Sequence, residues 1–484
     1  MYNELLTELN KTYTENGAVT NATTGSYVLD LFSSAGAMRS LDENKIAYTF
    51  NRAMLENAEL ALKTMFYARD VRGGLGERRA FRVMLKTLAL TRPDIAVKNL
   101  ENIATYGRYD DLMTLLYTPC ESEMIKLVKD QLCVDIQSEI PSLLAKWLPS
   151  VNTSSYKTNL CGKRMARLLG MTEKEYRKTL TELRAKIRII ENNLREKDYT
   201  FEYEKQTAGS LFKYRKAFMR NDNARYDSFL DKVESGEASA KADNLYPYQV
   251  VSKCLNSATL SSSERKALNA TWEDMKRGYD VPKNAIAVID TSGSMEWGTC
   301  NVAPIDVAIS LGMLFAERNE GEFAGSFITF SSRPQLVKIT GKDVTEKAVN
   351  IKQNSIVANT DIDKVFSLIL KVAVKHNLPQ SEIPQTVYLI SDMEFDSCAE
   401  NAELSNFENA KQKFEKAGYV LPQIVFWNVC SRHLHQPVTQ NEQGAILVSG
   451  ASPNVFKMVV EGKLDPYEYM LSVLSSKRYE KICA

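Results

Sequence analysis

Asp290, Ser292 and Ser294 stand at i, i+2 and i+4 in NAIAVIDTSGSM, residues 284–295. The carboxylate closes an apolar run of strand length, and two hydroxyls follow it at once. Three hard oxygen donors with no thiolate or imidazole among them suit Mg²⁺, Mn²⁺ or Ca²⁺, with Mg²⁺ the first expectation. Two later stretches add donors: NTDIDKVF sets Thr360 at the opening of a helix, and TVYLISDMEFD sets Asp392 just past another apolar strand. The structural reading is that Ser and Asp here only cap the helix that begins near Pro304, since both favour helix starts and turns. Asp361 and Asp396 flank the cluster and read as cap or turn residues.

The elements that must position these donors follow from hydrophobic period. Beyond about residue 281, strand-length apolar runs (AIAVID, FAGSFITF, QLVKI, TVYLIS, QIVFWNV, AILVS) alternate with amphipathic stretches such as VAPIDVAISLGMLFAERN and DIDKVFSLILKVAVKHN. Near-continuous apolar strands separated by helices imply a mostly parallel, doubly wound α/β sheet covered on both faces, over 282–484. Ligands of such sheets bind at the carboxyl ends of the strands, beside a topological switch point. Asp290 and Asp392 fall at those ends.

Residues 1–275 follow a different grammar. NRAMLENAELALKTMFYARD, ERRAFRVMLKTLALT, PDIAVKNLENIATYG and DDLMTLLYT carry apolar residues at three- and four-residue spacing between Gly and Pro breaks, and so does the longer stretch from Cys120 to Ser150. An all-α array of HEAT-like helical repeats is expected, although no strict period is present. DMKRGYDVPKN is the linker between the halves.

At 484 residues the chain exceeds one ordinary core. Its 44% hydrophobic and 25% charged content is that of a globular protein, and the net charge of +1 names no partner. Eight cysteines are scattered without a CxxC pair, which argues against a zinc or disulfide framework. MYNELLTELNKTYTENG lacks a basic stretch followed by an apolar one, and no apolar run nears the ~18 residues of a membrane span. A soluble, cytoplasmic protein with no membrane contact is expected. Only three histidines occur, and none is placed to serve a Ser or Cys nucleophile, so a non-enzymatic protein is expected. His433 and His435 alternate in SRHLHQ, a spacing that would put both on one side of a strand.

Charge distribution says more than the sum. Between Lys63 and Arg92 there are eight Lys/Arg against two acids, and between Val151 and Arg220 seventeen against eight. Clustered cations attract phosphate backbones. Arg69, Arg72, Arg78 and Arg79 around the turn DVRGGLGERR are phosphate candidates, as are Lys213, Arg215, Lys216 and Arg220. Tyr203, Phe212, Tyr214 and Phe218, interleaved with the second group, are of a type that stacks on unpaired bases or fills a core. GGLGE is a turn and no phosphate loop, since it lacks GxxxxGK[ST] and follows no strand.

The DxSxS motif with the later threonine and strand-end aspartate resembles the metal-ion-dependent adhesion site of von Willebrand factor A domains. That resemblance implies one divalent cation held by Asp290, Ser292, Ser294, Thr360 and Asp392, open to an acidic group of a partner. A helical first half before such a domain resembles Ro ribonucleoproteins of the TROVE type, in which helical repeats form a ring that binds RNA and an A domain closes it. The stretches FYARDVRGGLGERRAFRVML, YGRYDDLMTLL, KWLPS, MTEKEYRKTLTELRAKIRIIENNL and SDMEFD are similar to a widespread intracellular family with this two-part layout. The function implied is structured or single-stranded RNA binding by the helical half, with the cation engaging a partner or stabilising the architecture. The other reading is a scaffold without RNA, whose A domain binds an acidic residue of a partner such as an ATPase.

Overall fold

The computed structural model describes residues 1–187, 189–256, 259–281, 283–296, 302–330, 333–354, 361–397, 404–458 and 465–484. The stretch 1–275, expected to be all-α, is not so throughout: helix Tyr2–Asn10 is followed by two short antiparallel strands, β1 (Lys11–Tyr13) and β2 (Val19–Asn21). The second half is built on a six-stranded sheet of β3 (Ala285–Asp290), β4 (Ser326–Phe330), β5 (Leu336–Lys338), β6 (Thr386–Ser391), β7 (Gln423–Asn428) and β8 (Ala445–Ser449). Their spatial order is β5-β4-β3-β6-β7-β8, parallel throughout except for the antiparallel edge pair β4–β5.

β3 shows why the apolar runs become central strands: all six of its residues are buried. Ala285, Ala287 and Ile289 face one core, while Ile286 and Val288 face another with Ile362, Phe366, Phe407 and Phe414. Each buried Val or Ile stabilises by roughly 1.5–3 kcal/mol. A charged residue at Val288 would break the second core. Helices Pro304–Arg318, Ile362–His376 and Asn406–Lys416 cover the sheet, each started by local chemistry. Pro304 is the first helical residue of one, Asp361 accepts from the Lys364 amide, and Ser405 with Glu408 forms a capping box. The chain runs from β3 to β4 on one side and returns to β6 on the other, so the switch point lies between the carboxyl ends of β3 and β6.

In the helical half, single residues break the long amphipathic stretches. Asn57 ends helix Glu43–Glu56 and caps Ala58–Arg69 by accepting from the Leu60 amide. The run after Cys120 divides into Glu121–Gln137 and Leu144–Trp147, because Asp135 takes the Ser142 amide and hydroxyl at 2.9 and 2.7 Å. Tyr109–Leu115 is a tight 3₁₀ helix.

The halves distinct in sequence are continuous in packing. One hydrophobic core runs from Val28 through Trp272 and β3 to Ile482. DMKRGYDVPKN acts as a linker only in its last residues, since helix Ser262–Arg277 continues through its start and Tyr279 is buried. Both ends of the chain are exchanged between the halves. Gly17 bridges to Asp396 and Asn21 to Gln436, so the β1–β2 hairpin lies on the sheet domain. Gly36 stands where an added Cβ would meet the Ser449 carbonyl at 2.5 Å, so only glycine permits this approach to β8. In the other direction, Tyr106 Oη donates to the Arg478 carbonyl, and Asn99 Nδ2 to that of Cys483 at 2.7 Å. The helical array also meets itself: Tyr246 Oη donates to the Leu75 carbonyl at 3.0 Å, and Arg39 pairs with Glu77 beneath the Tyr248 ring.

Candidate metal centre and basic surface

β3 delivers Asp290 to the carboxyl edge of the sheet, and the chain turns at once into the short helix Gly293–Glu296. Asp290 Oδ1 accepts the Ser292 amide at 2.9 Å, and Oδ2 accepts the Ser391 hydroxyl at 2.5 Å. The Ser292 and Ser294 hydroxyls lie 3.0 Å apart, and Ser294 also bonds the Asp392 carboxylate. Four of the five expected donors therefore converge at the switch point. Thr360 lies outside the described residues. Asp361 caps its helix, as expected.

The electrostatics of this cluster are those of excess buried negative charge. Burial, then the neighbouring Asp392, pushes the Asp290 carboxyl up to about 7. Burial likewise raises Asp392, opposed by Arg432, whose Nη2 donates to Asp392 Oδ2 at 2.7 Å. The buried Thr291 hydroxyl has no partner among the described residues. Two dry carboxylates with two hydroxyls between them fit a hard divalent cation, which would supply the charge that one guanidinium at the rim supplies in part.

A second cluster adjoins the first and was not anticipated as a unit. Glu394, two residues beyond Asp392, accepts from His433 Nδ1 and His435 Nε2 on one oxygen and from the Glu15 amide on the other. Burial disfavours the ionised form of Glu394, but its contacts with His435, the Glu15 amide and His433 outweigh it and hold the carboxyl down at about 2. The histidines occupy the loop after β7, not a strand. The alternation in SRHLHQ was the only sequence signal for this cluster. The contributions of Arg432 and Glu15 had none.

The basic candidates separate on inspection. Arg69 is a correction: it is 2% exposed, bonded to the fully buried Asp111 at 2.8 Å, and cannot face a phosphate. Arg215 is also buried and donates to the Phe212 carbonyl at 2.7 Å. Both face inward because helical phase puts them on the packed side. Arg72, Arg78, Arg79, Lys213, Lys216 and Arg220 are exposed. Tyr203 and Phe218 are buried in an aromatic core with Tyr226 and Phe229, so neither is a base-stacking platform. Arg78 and Arg79 share a concavity of about 550 Å³ with Arg82, Lys86 and Lys157. Burial and the like charges of Arg82 and Arg108 lower the pKa of Arg78, a sign of crowded positive charge. Lys157, some seventy positions further on, was not singled out by its local sequence.

The turn between Arg69 and Arg78 has a structural duty. Asp70 accepts from Arg478 and from the Tyr479 hydroxyl, while Ser452 Oγ and Asn454 Nδ2 donate to the Gly74 carbonyl at 2.9 and 3.2 Å. The glycines thus dock the helical half on the sheet domain.

Comparison with known proteins agrees with this continuity. A family described as "Domain of unknown function (DUF2828)" matches residues 14–139 and 125–278, together more than half the chain. A second, "Domain of unknown function (DUF7788)", matches 284–480. Uncharacterized protein L728 of Acanthamoeba polyphaga mimivirus is 28% identical across 96% of this chain and 87% of its own length. The crystal structure of the Ro (RSR) protein of Deinococcus radiodurans superposes with a TM-score of 0.52 at 13% identity, covering 94% of this chain and all of that one. The chain therefore has a Ro-like fold along nearly its whole length.

Proposed function

The chain belongs to the DUF2828 family, and we propose that it is a Ro-like RNA-binding protein without enzymatic activity. The observation that carries this reading is the concavity lined by Arg78, Arg79, Arg82, Lys86 and Lys157 on a Ro-like fold. Glu43 is the one acid of the lining; Arg79 lies 3.9 Å from it and Arg82 pairs with Asp110 and Asp111 at 2.9 and 2.7 Å, which leaves Arg78, Lys86 and Lys157 as the cations with no ion pair among the described residues. Phosphate contacts of this kind give salt-dependent, largely sequence-independent affinity. On this reading the sheet domain is an A domain whose cation is held by Asp290, Ser292, Ser294 and Asp392, with Thr360 the fifth ligand. Mg²⁺ suits these donors, and it supplies an open coordination position for an acidic group. The protein's own contribution is to hold the two carboxylates dry and pre-aligned.

A specific observation favours the second reading, a protein-binding scaffold. Much of the basic excess between Val151 and Arg220 is neutralised locally: Arg164 pairs with Glu121 at 2.7 Å, Lys205 with Glu202 at 2.8 Å and Lys216 with Glu264 at 2.7 Å. Purification from native cells at about 0.15 M salt, where screening acts over roughly 8 Å, separates the two. RNA that copurifies, is lost in Arg78→Glu/Lys86→Glu and is kept in Asp290→Asn supports the RNA reading. A protein partner released by EDTA, with no RNA, replaces it with the scaffold.

A further inference from the structure

Glu394, His433 and His435 form a cluster that adjoins the Asp290 site and differs from it in donor chemistry. We propose that they bind one Zn²⁺, which clasps the N-terminal segment to the sheet domain. The argument starts from convergence. His433 Nδ1 and His435 Nε2 approach the same Glu394 oxygen at 3.0 and 3.1 Å, and the three ligand atoms lie within 4.8 Å of one another. A tetrahedral zinc with bonds of about 2.0–2.2 Å sets its ligand atoms about 3.3–3.6 Å apart, and the two nitrogen–oxygen separations stand within a few tenths of an ångström of that.

Donor type selects the metal. Two imidazoles and a carboxylate suit zinc among the common divalent ions, whereas Mg²⁺ and Ca²⁺ prefer all-oxygen cages. The His435 side chain is 8% exposed, its Nδ1 has no hydrogen-bond partner among the described residues, and its ring is oriented by the Glu394 contact and by stacking on His433. His433 is half-exposed and leaves an entry path from solvent. Glu15 stands beside the set without joining it: its Oε1 lies 3.7 Å from His433 Nδ1, its Oε2 pairs with Arg432 at 2.9 Å, and its amide donates to the second Glu394 oxygen at 2.8 Å.

The consequence is topological. Glu15 lies in the turn of the β1–β2 hairpin, Glu394 follows β6 and the histidines follow β7. One ion at this point would join the two loops of the sheet domain and fix Glu394, which holds the N-terminal segment through the Glu15 amide, where Thr14 and Asn16 also donate to the Phe395 and Glu394 carbonyls. This proposal stands whether or not the protein binds RNA.

The test is zinc titration of the purified full chain after chelator treatment, with Co²⁺ as a spectroscopic substitute. One equivalent of Zn²⁺ is expected, with a cobalt spectrum of nitrogen and oxygen ligands free of thiolate charge transfer. His433→Ala, at a half-exposed position that leaves the fold intact, should weaken zinc binding at least about tenfold. Asp290→Asn should leave it unchanged. Zinc bound by His433→Ala/His435→Ala as tightly as by the unaltered protein, a thiolate-type cobalt spectrum, or no zinc binding would each overturn the proposal.

Discussion

The DTSGSM loop and the DVRGGLGERR turn both read as binding motifs, yet they come out differently. At the first, Asp290, Ser292, Ser294 and Asp392 converge as their spacing implied. At the second, Arg69 and Asp70 turn inward to join segments, and only Arg72, Arg78 and Arg79 reach solvent. The difference lies in what fixes a side chain. The end of a central strand in a doubly wound sheet has one location and one direction. A turn between helices takes its surroundings from partners hundreds of residues away.

The sharpest way to break this comparison is to remove Arg69. Its loss leaves the buried Asp111 carboxylate with Arg82 as its only ion-pair partner among the described residues, beside the Arg108 amide, so Arg69→Ala should destabilise by about 3–5 kcal/mol in urea unfolding. Arg78→Ala, nine residues away, should stay within about 0.5 kcal/mol. Equal effects would erase the distinction between junction and surface.

Next in size is the cation. At a hundredfold excess over its Kd, Mg²⁺ should stabilise the native protein by about 2.7 kcal/mol, and Asp290→Asn should abolish that gain. The effect depends on pH in a definite direction. Asp290 has its pKa raised from 3.8 to about 7, so its proton favours the folded state at low pH, and that contribution declines as pH rises through this window. The same proton competes with the cation. The Mg²⁺-induced rise in Tm should therefore be small at pH 6 and larger at pH 8; a pH-independent rise would place the cation elsewhere.

Asp70→Asn removes the charge that holds Arg478, a partly exposed pair, and should cost about 2 kcal/mol. Loosening of the C-terminal residues, read by hydrogen exchange near Tyr479, would sharpen the assignment of this turn as a junction. The smallest effect is on RNA: Arg78→Glu should weaken binding across sequences alike and lower the salt slope by about one. A sequence-selective loss would instead make Arg78 a base reader.

Much of the fold was legible because period alone reports burial. AIAVID, TVYLIS and AILVS became β3, β6 and β8 with the boundaries expected, and the helices over them began at their Pro, Asp and Ser caps. Long helical stretches were legible in type but not in extent, since individual side chains, Asn57 and Asp135, end helices by accepting from nearby residues. The aromatic and basic run from Tyr203 to Arg220 was ambiguous, because helical spacing serves a core and a nucleic-acid face equally. Burial of Phe218 and Arg215 settled their side of it.

What the sequence determined by itself was the type of the main helices and of the sheet strands, and the strand-end placement of Asp290 and Asp392. Both follow from local period and from chain direction, whereas the β1–β2 hairpin went unread. Tertiary structure alone decided that the halves share a core, that Lys157 joins Arg78 in one concavity, and that Glu15, Glu394, His433 and His435 meet. Those meetings join residues up to 420 positions apart in the chain. No local pattern encodes such a distance, because each partner is placed by the packing of its own element.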